Sequence, residues 1–136
     1  MAMNRTLARE AAFTLLFETE FKEAESREEI FSLSTKNREI EENSYIRGVY
    51  FGVCEHVTEL DAFISKYAKG WKTKRISRVS RSILRLAIFE MLYLPDVPFG
   101  VSINEAVELC KKFDEERARP FVNGILNSVK EELEHA

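Results

Sequence analysis

Residues 101–126 read VSINEAVELCKKFDEERARPFVNGIL, and this stretch decides the fold. Ser102 and Glu105 stand three apart, the capping-box spacing in which a serine hydroxyl accepts from a free helix amide and the glutamate reaches back. Pro98 and Gly100 lie just upstream, so a loop is expected to end and a helix to begin at Ser102. Ile103, Ala106, Val107, Cys110 and Phe113 recur at steps of three and four, the spacing of one buried helix face. A charged turn over residues 114–119 leads to Pro120, which suits a helix's first turn because its missing N–H would have no partner there. Val122, Ile125, Leu126, Val129 and Leu133 form the next stripe. Gly124 lies inside that second helix at a cost of about 1 kcal/mol relative to alanine, which predicts a close backbone approach. The stretch reads as a helical hairpin.

Working upstream, Ser77 is a candidate N-cap for a helix over residues 78–94. Its apolar residues, from Ile83 to Leu94, cover most of the circumference, so this helix is expected at the centre of the core. Arg78, Arg81 and Arg85 share one narrow strip. Glu90 falls in the apolar sector, where an unpaired carboxylate is expensive; it is either paired internally or turned toward a protein partner.

Residues 39–67 carry a long helical stripe through Ile46, Val49, Tyr50, Val53, Val57, Leu60 and Ile64, expected as one helix or two nearly collinear ones broken near His56 or Thr58. Gly48 and Gly52 are spaced to admit a neighbouring helix. Gly70 is expected to end the helix and Trp71 to close the core under the turn. Residues 4–21 read as the first helix, with Phe13, Phe17 and Phe21 in a row beside the apolar face and Arg5 and Arg9 adjoining it. A short helix over residues 26–33 and a polar loop follow. No segment alternates with period two, so the chain is expected to be all-α.

With 136 residues, 45% hydrophobic, the chain suits one globular domain, residues 1–136. No apolar run approaches the ~20 residues needed to span a bilayer, and the N-terminal MAMNRTLARE lacks the apolar core of a signal peptide. Cys54 and Cys110 lie far apart, which fits reduced cytosolic thiols. A soluble, cytoplasmic protein is expected.

The net charge of −3 conceals a segregation. Residues 62–89 hold eight basic residues and no acid, a local field able to gather an anionic partner on an acidic molecule. Arginines beside aromatic rings can hold phosphates while a base stacks on a ring. Catalytic motifs are missing: no phosphate-binding glycine loop, nucleophile elbow or HExxH occurs. Cys54, His56, Cys110 and His135 match no usual zinc spacing. No enzyme, metal or cofactor is expected.

Three blocks carry a resemblance: RTLAREAAFTLLFETEF, WKTKRISRVSRSILRLAIFEML and VPFGVSINEAVELCKKFDEERARPFVNGIL. In this order they resemble the NusB family of transcription antitermination factors across essentially the whole chain. The resemblance implies about seven helices in two packed sub-bundles and no catalysis. It implies pairing with the ribosomal protein NusE, binding of single-stranded boxA RNA in nascent ribosomal RNA transcripts, and entry into the antitermination complex of RNA polymerase with other Nus factors. Matched to the family's RNA-binding surface, the residues are Arg5, Arg9, Phe17, Arg78, Arg81, Phe121 and Asn123; Glu90 and Arg117 are the candidate protein-partner contacts. Many relatives carry a denser arginine cluster and a tyrosine where this chain has Phe17, so weak RNA binding is expected without NusE. Two alternatives remain: a protein-interaction module or homodimer that hides the basic strip, and a detached NusB-like domain of a ribosomal RNA methyltransferase.

Overall fold

A computed structural model describes residues 3–22, 26–34, 40, 42–69 and 76–136. Trp71, Gly70, Lys72, Lys74 and Arg75 lie outside the described residues, and with them the expectation that Trp71 closes the core. Among the described residues there are seven helices and no strand: α1 (Arg5–Thr19), α2 (Arg27–Ser34), α3 (Ser44–Glu55), α4 (Val57–Tyr67), α5 (Arg78–Tyr93), α6 (Phe99–Phe113) and α7 (Ala118–Glu134). They fall into two compact units, Met1–Glu55 and His56–Ala136.

In the first unit, α1 packs on α2 and α3. The Asn4 side chain accepts from the Leu7 amide at 2.8 Å and starts α1. One face of α1 buries Ala8, Ala12, Phe13, Leu15 and Leu16 against Ile30 and Phe31 of α2 and Ile46, Val49, Tyr50 and Val53 of α3. Among the described residues Tyr50 is the largest fully buried side chain. Its hydroxyl lies 2.7 Å from Thr19 Oγ1. Thr19 already donates to the Leu15 carbonyl at 2.8 Å, so Tyr50 is the donor. Burial pushes the Tyr50 hydroxyl up to about 12 from its ordinary 10.0.

In the second unit, α5 is central, packing against α4, α6 and α7. Ser77 caps it, accepting from the Ser80 amide at 3.0 Å, and ten of its residues are buried. His56 is the turn between α3 and α4, at the first of the two expected break points. Its ring stacks on Tyr93, with centroids 4.5 Å apart. The far end of α7 is tied to α4 by Lys66, which donates to Glu132 Oε1 at 2.6 Å. Tyr67 donates to the same oxygen. The Lys66 ammonium and then the Tyr67 hydroxyl hold the Glu132 carboxyl below its ordinary value.

Two local expectations are overturned. First, α6 begins at Phe99 with Pro98 as its N-cap, not at Ser102. The Pro98 carbonyl accepts from the Val101 and Ser102 amides, so Ser102 is a full turn inside the helix and forms no capping box with Glu105. Second, an ideal Cβ on Gly124 or Gly48 would meet nothing within 4 Å, so no neighbour among the described residues needs those glycines. After α4, Lys69 takes a left-handed conformation at φ 46°.

Candidate nucleic-acid interface

The first unit presents a patch on α1. Arg5 is the first residue of the helix and is exposed. Its guanidinium carbon sits 4.4 Å from the centroid of the Tyr45 ring, a cation–π distance. Further along α1, Phe13, Phe17 and Phe21 form a ladder. Phe17 lies 6.1 Å from Phe13 in a stacked arrangement and 5.2 Å from Phe21 edge-on. The ladder grades from core to solvent, with Phe13 buried, Phe17 half-buried and Phe21 exposed. Arg5 and Phe17 are twelve residues apart, or about 18 Å along the helix, far enough to meet different nucleotides of one strand.

Arg9 does not join Arg5 at the surface. It is only 3% exposed, with its guanidinium 5.9 Å from the same Tyr45 ring. The one-turn offset that put both arginines on one side of α1 carried Arg9 inward, where no phosphate reaches it. Its place as an RNA contact is therefore corrected to an internal one.

The second unit carries the other candidates. Arg78 is exposed and Arg81 half-buried on the first turn of α5. Arg85, the third member of the strip, is engaged by Asp61 of α4 through two hydrogen bonds of 2.8 Å. That fork-to-carboxylate geometry makes Arg85 a clamp between helices. Phe121 is half-buried and lines a cavity of about 340 Å³ together with Ser77, Ser80, Asp114 and Arg117. Ser80 donates to Asp114 on one wall. Arg117 has an 88% exposed side chain and donates to Glu115 at 2.8 Å. Asn123 is exposed on α7, and its backbone carbonyl accepts from the Asn127 side chain at 2.8 Å.

Glu90 cannot meet a partner. It is 0% exposed and accepts from the Ser102 hydroxyl at 2.8 Å. The apolar sector of α5 faces α6, and α6 supplies a hydroxyl where the carboxylate arrives. Of the two readings of Glu90 the structure takes internal pairing, and its partner is the serine that the sequence suggested as a cap.

Sequence reasoning missed Tyr45 and Arg47. Arg47 lies 5.0 Å from the Phe31 ring and 5.7 Å from that of Phe51. Both residues sit off the apolar stripe of α3, and a tyrosine there, one residue after the helix start, was the available signal. Cys110 is buried, and burial pushes its thiol up from 9.0 to about 12. Among the described residues no group of three or more potential metal ligands comes together, and no helix is long and apolar enough to cross a membrane.

The geometry is that of an all-helical binding protein with basic and aromatic patches. The NusB family model matches residues 6–131. Transcription antitermination protein NusB of Ruminiclostridium cellulolyticum is 43% identical over 128 residues, covering 93% of this chain and 88% of that protein. NusB of T. maritima superposes with a TM-score of 0.87 at 36% identity, covering 97% of this chain and 94% of that one. A chain in the crystal structure of the antitermination factors NusB and NusE in complex with double-stranded RNA gives a TM-score of 0.78 at 29% identity, covering 92% and 94%. The chain belongs to the NusB family.

Proposed function

We propose that the whole chain works as one RNA-binding domain, a non-catalytic cytoplasmic adaptor of transcription antitermination. It pairs with the ribosomal protein NusE, binds single-stranded boxA RNA of nascent ribosomal RNA transcripts, and enters the RNA polymerase complex with other Nus factors. The observation that carries the reading is that each unit of a NusB-family chain presents arginines and a half-buried ring: Arg5 and Phe17 on α1 in the first unit, and Arg78, Arg81 and Phe121 in the second. Arginines supply phosphate contacts that position a strand, and rings accept bases that only a single strand can splay out. Asn123, exposed on α7, offers an amide to a base edge. Arg117, extended into solvent, is the candidate contact to the protein partner.

Salt-dependent binding of a boxA-type RNA tests the assignment of these residues. Removing one arginine–phosphate interaction lowers the slope of log affinity against log salt by about 0.7 on a single strand. Arg78→Ala with Arg81→Ala should therefore lower the slope by about 1.4, and Arg5→Ala by about 0.7. Unchanged slopes in both variants would remove these arginines from the interface.

A further inference from the structure

Tyr45 has no place among the residues matched to the family's RNA surface, yet it is the point on which the arginines of α1 converge. It stands in the first turn of α3, whose backbone is fixed by Asn43, the side chain of which accepts from the Ile46 amide at 3.0 Å. Arg5 is fixed in the same manner, directly after the Asn4 cap of α1. Between these two capped turns the Arg5 guanidinium lies 4.4 Å from the Tyr45 ring centroid, and that of Arg9 lies 5.9 Å from it. Only Arg5 is exposed; Arg9 is buried.

We propose that Tyr45 is a positioning residue of the RNA-binding surface: its ring, anchored by buried Arg9, holds Arg5 ready to receive a phosphate. The proposal rests on α1 being an RNA contact. An arginine at a helix start samples many rotamers, and ordering it on binding costs affinity. Lying over a ring removes much of that cost in advance. The guanidinium donors lie in its own plane, so a ring below the plane leaves its edges available to a phosphate. The ring also lowers the hydration of a charge that must partly desolvate to bind. Arg5 is the one exposed arginine of α1, so holding it in place secures the cation that this helix offers a phosphate.

Salt titrations of the full chain with NusE and a fluorescent boxA-type RNA test this, using Tyr45→Leu, Tyr45→Phe, Arg5→Ala and the Tyr45→Leu/Arg5→Ala double variant. Tyr45→Leu should weaken binding roughly two- to fivefold, the range of an exposed cation–π contact, and lower the salt slope by up to about 0.7. Tyr45→Phe, which keeps the ring, should restore affinity and slope. The double variant should bind no worse than Arg5→Ala, because both changes act on the same phosphate interaction. In the free proteins, the Arg5 side-chain proton signals should be shifted upfield by the ring in the natural chain and in Tyr45→Phe, and not in Tyr45→Leu. Full additivity of the two effects, a Phe variant as weak as Leu, or absence of the upfield shift would each overturn the proposal. If the natural chain binds boxA-type RNA no better than a scrambled strand, the functional reading itself falls and this proposal with it; normal binding with an inert Tyr45→Leu overturns the positioning role alone.

Discussion

Glu90 and Ser102 show how a single side chain changes meaning once its neighbour is known. A carboxylate with no access to water must be met by donors, and Ser102 Oγ provides one at 2.8 Å. Ser102→Ala should therefore destabilise the protein by about 1–3 kcal/mol, the cost of an under-satisfied buried acceptor. In urea unfolding this appears as a lower midpoint with an unchanged slope. Equal stability of Ser102→Ala and the natural chain would mean that Glu90 is satisfied without the serine. Arg9 teaches the same lesson from the cationic side. Its spacing from Arg5 was legible in the sequence, but which of the two arginines points inward depends on the rotation of α1 about its axis. The packing of Ala8, Ala12 and Leu15 sets that rotation.

Among the elements, helix content and order were readable because apolar stripes of period 3.6 and the cap at Ser77 are local signals. Helix ends were less so. The start of α6 was misplaced because Ser102, a strong capping residue by type, is taken by Glu90, twelve positions away in sequence. Glycines misled for a related reason. Gly124 lies mid-helix with open space where a side chain would stand, whereas Lys69 takes the left-handed conformation that suits glycine. Gly124→Ala should thus raise stability by up to about 1 kcal/mol, and Lys69→Gly by about 1 kcal/mol through relief of backbone strain. Thermal melts of both variants measure this. A lower melting temperature for Gly124→Ala would show that the open space is needed by the chain itself. The Arg85–Asp61 pair was likewise invisible to periodicity, since a strip of three arginines on one helix says nothing of an acid on the next. With side chains 17% and 27% exposed, the pair is partly shielded, and Arg85→Ala should cost about 1–3 kcal/mol.

At the scale of the whole molecule, each unit buries a weak acid whose proton burial holds in place: Tyr50 in the first and Cys110 in the second. Both hold their protons up to about 12 in the fold, against 10.0 and 9.0 ordinarily. Folded values raised above unfolded ones mean that the stability is fully present below pH 9 and is lost as pH climbs from about 9 toward 12. Chemical denaturation at pH 8 and pH 11 should show a loss on the order of 4 kcal/mol at the higher value. Across the molecule, the sequence made the cationic segment and the ring-bearing α1 visible, because charge segregation and residue type need no coordinates. It could not show that Arg85 and Arg9 are used internally or that the Arg5 guanidinium lies over the Tyr45 ring, because these are contacts between helices. Fewer arginines are exposed than their number in the sequence suggested, since Arg9 is buried and Arg85 is engaged by Asp61.

Fluorescence anisotropy of a boxA-type single-stranded RNA, a scrambled strand and a duplex, each titrated with the chain alone and with NusE, tests the central claim most directly. Weak binding alone, made tighter by NusE and favouring the boxA-type strand over both controls, is the predicted result. Equal affinity for all three RNAs, indifferent to NusE, would contradict it and leave only nonspecific attraction between a basic segment and phosphate.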